Sequence, residues 1–154
     1  MNSGCAPSNY MWLILPARAS NLGLARVSLA SFAAGCGLTL SEVDELKLAV
    51  SEAVSNVILH AYPDGTEGEV CLFARVRDDV LTIQVSDFGA GIGDVDQALQ
   101  GGYSTLEERM GLGFTFMECF ADEMSVTSAE GQGTRVVFSK SLTDISDRSD
   151  RAEA

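Results

Sequence analysis

The sequence predicts an α+β fold: a two-layer α/β sandwich in which helices cover one face of a mixed, mainly antiparallel sheet. Three observations carry that expectation. Segments with helical and strand periodicity are interleaved along the chain. The later strands come as hairpins, separated by turn residues. The stretch Leu46 to Tyr62, LKLAVSEAVSNVILHAY, has the apolar spacing of a buried amphipathic helix.

In chain order, Tyr10 to Leu15 is aromatic and branched, a strand stopped by Pro16. Ser20 to Ala34 shows helical spacing through Leu22, Ala25, Leu29 and Phe32, and Gly35-Cys36-Gly37 terminates it. Arg26 falls in this helix with no obvious charge partner and, on composition alone, reads as a solvated side chain. Ser41 followed by Asp44 has the form of a capping box that starts the next helix. That helix carries Val43, Leu46, Val50, Ala53, Val57 and Ala61 on one stripe and runs to about Tyr62, where Pro63-Asp64-Gly65 forces a turn.

Glu69 to Arg77 and Val80 to Ser86, separated by Asp78-Asp79, predict an antiparallel hairpin. Leu81, Ile83 and Val85 alternate with Thr82, Gln84 and Ser86, so one face is buried. Asp87 to Gly93, DFGAGIG, cannot be regular structure with its three glycines. A short helical piece over Asp94 to Gln100 leads to Gly101-Gly102 and a polar loop from Tyr103 to Met110. Gly111-Leu112-Gly113 then precedes an apolar helix over Phe114 to Phe120. The last strands, Met124 to Ser128 and Thr134 to Ser139, flank the turn Glu130-Gly131-Gln132-Gly133. Residues 10–142 form the predicted domain, with 1–9 and 143–154 as flexible termini.

The 154 residues suffice for one domain with a substantial core. The formal net charge is -12 and the only lysines are Lys47 and Lys140, so the basic face that nucleic acid requires is missing. Acidity of this degree serves solubility or a basic protein partner. Cys5, Cys36, Cys71 and Cys119 lie far apart, without metal-ligand spacing, and read as reduced, mostly buried small hydrophobes. The run Tyr10 to Leu15 is too short to span a membrane or serve as a signal peptide, which predicts a cytoplasmic protein.

Glu52, Asn56 and His60 interrupt the long helix at four-residue steps and stack beside its apolar stripe. Polar groups at the edge of a core need partners: one another, nearby backbone, or a ligand. For His60 the structural role is the favoured one. No GxxxxGK(S/T) loop occurs, and Gly89, Gly91 and Gly93 are spaced GxGxG rather than as the dinucleotide fingerprint. Asp87-Phe88-Gly89 spells a protein-kinase tripeptide, but the catalytic loop that accompanies it is missing.

What remains is Glu52-x3-Asn56 on a helix, Asp87-x-Gly89-x-Gly91 after a strand, Gly111-x-Gly113 before a helix, and Gly131-x-Gly133-Thr134 before the last strand. In this order they resemble the N box and successive G boxes of the GHKL ATPase and kinase superfamily, whose fold is the Bergerat α/β sandwich. SEAVSNVILHAY, DFGAGI, ERMGLGFTFM and LARVSLASF narrow the resemblance to the anti-sigma factor serine kinases of Gram-positive bacteria. The sporulation type (the SpoIIAB kind) is nearer than the general-stress type (the RsbW kind). The match covers Tyr10 to Leu142; the lid stretch Tyr103 to Met110 is shorter than the family pattern.

The resemblance implies roles. Asp87 is the adenine-reading aspartate, with Gly89, Gly91 and Ile92 in the loop that approaches the base and Thr134 on the last strand. The alternative for Asp87 is an Asx-turn residue that caps the loop. Gly111, Leu112 and Gly113 belong to the phosphate region; at a helix start their free N–H groups would favour anions. Ser104, Thr105 and Arg109 are lid candidates for phosphate contact. Asn56 is the direct Mg²⁺ ligand and Glu52 the general base that accepts the proton of an attacking serine. Arg26 matches an arginine that contacts both protein partners.

The implied function is that of an anti-sigma factor and ATP-dependent protein serine/threonine kinase. It binds an RNA polymerase sigma factor, phosphorylates a serine of an anti-anti-sigma (STAS-domain) antagonist with Mg²⁺-ATP, and acts as a homodimer. The alternative is a non-catalytic nucleotide-dependent module that switches partners without phosphorylation. Glu52 favours transfer, since such a module could dispense with it.

Overall fold

The computed structural model describes residues 9–100 and 108–142. Strands β1 (Asn9–Pro16), β2 (Glu69–Arg77), β3 (Val80–Ser86), β4 (Glu123–Ser128) and β5 (Thr134–Ser141) form a sheet in the order β1-β2-β3-β5-β4. Every pairing among the described residues is antiparallel, which narrows the expected mixed sheet to an antiparallel one. The β2–β3 hairpin has the boundaries its alternation predicts. Its turn residues Asp78 and Asp79 both take positive φ, 51° and 58°, the conformation of a tight two-residue hairpin loop. Pro16 is the last residue of β1 rather than the residue beyond it; β1 lies at the sheet edge, where a missing N–H is tolerated.

Side chains alternate along each strand, so the sheet has two different faces. Leu72, Leu81, Ile83, Val85, Val136 and Phe138 are buried beneath the helices. On β1, Met11, Leu13 and Leu15 pack against that core, whereas Tyr10, Trp12 and Ile14 are more than half exposed.

Helix α1 (Leu22–Ala34) follows a 3₁₀ turn at Ala19–Asn21, and helix α2 (Leu40–Asn56) packs between α1 and the later helix Glu108–Phe120. The capping box of α2 is Thr39 with Glu42, not Ser41 with Asp44. Glu42 N–H donates to Thr39 Oγ1 at 3.2 Å, and Thr39 N–H donates to the Glu42 carboxylate at 2.7 Å. Both pairs have the right spacing, but Asp44 instead accepts from Lys47 at 3.0 Å. Leu46, Val50 and Val54 fill the centre of the core from α2, joined by Leu29 of α1.

After Asn56 the α2 helix widens into a π-helical turn, Val57–Ala61, so the four-residue stacking of Glu52, Asn56 and His60 does not continue regularly to His60. Helix α3 (Val95–Leu99) is capped by the Asp94 carboxylate, which accepts from Gln97 N–H. Helix α4 (Glu108–Phe120) begins earlier than expected. Gly111 and Gly113 therefore lie inside it rather than before it. The burial that anchors α4 comes from Phe114, Met117 and Phe120, the last edge-on to Phe138 with ring centroids 6.1 Å apart. Of the cysteines, Cys71 is buried, Cys36 half-buried and Cys119 exposed, so burial of the group was overestimated. Cys5 lies outside the described residues.

Candidate functional site

A cavity of about 160 Å³ lies where the end of α2 meets β3, β5 and α4. Its apolar walls are Ala53, Val57, Ala61, Val85, Phe114 and Val136; its polar members are Asn56, His60, Asp87 and Thr134, with Gly91 and Ile92 at the loop side. Two-residue alternation explains part of the set. Val85 and Asp87 share one face of a strand and its extension, as do Thr134 and Val136.

Asp87 is the buried charged residue of the described core, 6% exposed. Its Oδ1 accepts from Gly89 N–H at 2.8 Å, which is an Asx turn, so the loop-capping geometry and the cavity position coexist in one residue. Burial pushes its carboxyl pKa above the usual carboxylate range, and the Gly89 and Thr134 backbone N–H groups offset part of that shift. A carboxylate in this position gains from a ligand that donates hydrogen bonds.

Asn56 and His60 each leave a buried nitrogen, Nδ2 and Nε2, without a partner among the described residues. Burial lowers the His60 pKa, so a neutral imidazole faces the cavity at physiological pH. His60 is thus a wall residue of the site, contrary to the structural role expected for it. Incompletely satisfied polar groups around an apolar slot suit a flat ligand with polar edges.

The loop after β3 is clamped from both sides. Ala90 N–H donates to the Ala61 carbonyl at 2.7 Å, and Gly131 N–H donates to the Ala90 carbonyl at 2.7 Å. The Tyr62 hydroxyl donates to the Glu69 carbonyl at 2.7 Å and accepts from Phe88 N–H at 3.1 Å. A Cβ on Gly89 would overlap the Ala61 carbonyl. Glycine at 89 therefore lets the loop approach the helix end, a different close approach from the one to a base expected from sequence. Tyr62 ends the SEAVSNVILHAY stretch without a role assigned from sequence, and only the fold reveals it as a brace.

Glu52 lies one turn before Asn56, half-buried and outside the cavity wall, with no hydrogen bond or ion pair among the described residues. Arg26 is exposed on α1, away from the cavity lining. Ser104 and Thr105 lie outside the described residues, as do the side chains of Arg109 and Leu112; the backbone of Arg109 and of Gly111 to Gly113 is in α4. Among the described residues no cluster of three or more His, Cys, Asp or Glu side chains could hold a metal.

Residues 15–140 match the histidine kinase-like ATPase domain family. The chain is 42% identical over 141 residues to the anti-sigma F factor of Clostridium acetobutylicum, covering 90% of this chain and 98% of that protein. It is 39% identical over 137 residues to the anti-sigma F factor of Bacillus subtilis, covering 88% and 94% respectively. Among solved structures, the RsbU and RsbW domains of a Mycobacterium tuberculosis protein align with a TM-score of 0.62 at 20% identity, over 89% of this chain and 33% of that one. The histidine kinase domain of a blue-light activated histidine kinase from Erythrobacter litoralis aligns with a TM-score of 0.55 at 24% identity, over 79% of this chain and 61% of that one. This chain thus spans less than two thirds of either solved chain, and at these identities the likeness concerns the fold.

Proposed function

The chain belongs to the histidine kinase-like ATPase domain family, on the branch of the anti-sigma F factors, and from that premise we propose that it is an anti-sigma factor and protein serine kinase. It binds a sigma factor and uses Mg²⁺-ATP to phosphorylate a serine of an anti-anti-sigma (STAS-domain) antagonist, switching partners in a sporulation pathway. The observation that carries the reading is the convergence of Asp87, Asn56 and His60 on one apolar-walled cavity, where Asn56 Nδ2 and His60 Nε2 have no partner among the described residues.

In this reading the buried Asp87 carboxylate accepts from the exocyclic amine of adenine, and the apolar walls sandwich the ring. The Asn56 carboxamide has no partner on its nitrogen among the described residues, so the group is available to bind Mg²⁺ through its oxygen and a phosphate through its N–H. A hard cation held by a single protein oxygen takes its other ligands from phosphates and water, which agrees with the lack of a dedicated cluster among the described residues. When bound, the ion supplies charge neutralisation on the phosphates. Glu52, without a partner among the described residues and one helical turn away, takes the proton of the attacking serine, a contribution of ~10²–10⁴-fold. The remaining assigned residues, in the lid and the first turns of α4, take the phosphates.

Two surfaces support the protein partners. Arg26 is exposed on α1, as are the apolar side chains Leu24 and Val27, a charged and apolar combination suited to sigma and antagonist. The helix-free face of the sheet exposes Tyr10, Trp12 and Ile14, with Trp12 against Phe73 at a ring distance of 4.7 Å, and suits a homodimer contact. No helix among the described residues is long and apolar enough to cross a membrane. The proposed partners put the protein's action in the cytoplasm.

Incubation of the chain with labelled Mg²⁺-ATP and its STAS antagonist tests the reading. Label on an antagonist serine is the expected result; nucleotide binding without any transfer would favour the non-catalytic switching module. The position of Glu52 outside the cavity wall is the observation on that side.

A further inference from the structure

We propose that Ser128, at the end of β4, is a positioning residue that sets the base selectivity of the cavity by fixing the direction of the Thr134 hydroxyl proton. The inference rests on the nucleotide reading above. Ser128 Oγ stands at the meeting point of three hydrogen bonds. It accepts from Ile92 N–H at 2.7 Å, it lies 2.8 Å from the Gly133 carbonyl oxygen, and it lies 2.9 Å from Thr134 Oγ1.

A hydroxyl has one proton to give and two lone pairs to accept with. The Gly133 carbonyl can only accept, so the Ser128 proton goes there. Ile92 N–H takes one lone pair. The remaining lone pair receives the Thr134 proton, which directs the Ser128–Thr134 bond from threonine to serine. Ser128 is then saturated, and Thr134 Oγ1 has only lone pairs left for the cavity it lines.

Thr134 is the cross-strand neighbour of Asp87: Asp87 N–H donates to the Thr134 carbonyl at 3.0 Å, and Thr134 N–H acts on the Asp87 carboxylate. The polar edge of the cavity therefore presents two adjacent acceptors, a carboxylate and a proton-committed hydroxyl. That pair welcomes an amine at the purine 6-position and repels an oxo group there. Removing Ser128 Oγ frees the Thr134 proton to turn inward and donate to an oxo group, so the second acceptor becomes a donor.

The test is calorimetric titration of the wild type, Ser128→Ala and Ser128→Thr with Mg²⁺-ADP and Mg²⁺-IDP, which differ at the purine 6-position and its neighbouring ring nitrogen. The wild type and Ser128→Thr are expected to share one ADP-over-IDP preference, and Ser128→Ala to narrow it by about tenfold, one hydrogen bond's worth. A purely structural role for Ser128 predicts that Ser128→Ala weakens both nucleotides by one factor; an unchanged ratio would overturn the proposal. Should Ser128→Ala fail to fold, Thr134→Val carries the test, since loss of the acceptor hydroxyl must also narrow the preference and an unchanged ratio there overturns it equally. Failure of the wild type to bind either nucleotide would instead remove the nucleotide reading, and this inference with it.

Discussion

Ala90 N–H donates to the Ala61 carbonyl at 2.7 Å, and this bond ties the loop that follows Asp87 to the end of the helix that carries Asn56 and Glu52. It holds only because residue 89 has no side chain, since a Cβ there would meet the same carbonyl. Gly89→Ala should therefore destabilise the fold by ~1–3 kcal/mol and weaken ADP binding along with it. Gly93→Ala, with open space around the position, should stay within about 0.5 kcal/mol of wild type. Urea denaturation of both variants checks this, and equal stabilities would refute the clamp.

The second prediction concerns Asp87. Its folded-state pKa lies above the ordinary carboxylate value because of burial, so ionising the acid costs more in the empty protein than in water. A group raised in this sense contributes stability below its unfolded pKa and loses it as pH rises through the folded pKa. Asp87→Asn retains an oxygen for Gly89 N–H and carries no charge. Between about pH 4 and 7 the variant's melting temperature should fall less, or rise more, than that of the empty wild type. Its affinity for ADP should drop about tenfold or more. A wild-type pH profile in thermal melts would refute the burial cost, and wild-type affinity would refute the base contact.

Glu52 and Asn56 should separate chemistry from binding. Glu52→Gln is expected to bind Mg²⁺-ADP normally and to lose ~10²–10⁴-fold in antagonist phosphorylation. Asn56→Ala should lose the part of its ADP affinity that depends on Mg²⁺, read by titration with and without chelator. Full phosphorylation by Glu52→Gln would end its assignment as general base.

On the surfaces, Trp12→Arg places a charge on the exposed sheet face and should convert a dimer to a monomer in sedimentation equilibrium, with ADP affinity retained. Arg26→Glu should weaken sigma-factor capture and leave ADP affinity alone. Loss of nucleotide binding in either variant would mean that these faces and the cavity are not the separate sites proposed.

Local physics made much of the fold legible. The β2–β3 hairpin follows from side-chain alternation and an Asp-Asp turn, and α2 follows from an apolar stripe, all decided within a few residues of chain. Asn56 is a candidate because polar groups at a core edge require partners, and Asp87 because of its place in the glycine motif that follows β3. Where two local answers were available, the chain alone could not choose. Thr39 and Ser41 both head a capping-box spacing, and the longer Glu42 side chain reaches back to Thr39. Gly111 and Gly113 suggested a helix start, yet α4 begins at Glu108 because packing of Phe114, Met117 and Phe120 against the core stabilises a helix that local propensity would not place there.

The sequence by itself determined the α+β class, most element positions, and the order of the family's motifs, because each depends on periodicity or on residues adjacent in the chain. Only the tertiary structure decided which groups meet. A π-helical turn puts His60 on the cavity wall, Glu52 stays off it, and Ser128 from β4 joins the loop after β3 to the first residue of β5. The physical reason is that these contacts join residues distant in the chain, so they form only where helix packing and strand register bring their backbones within hydrogen-bonding distance.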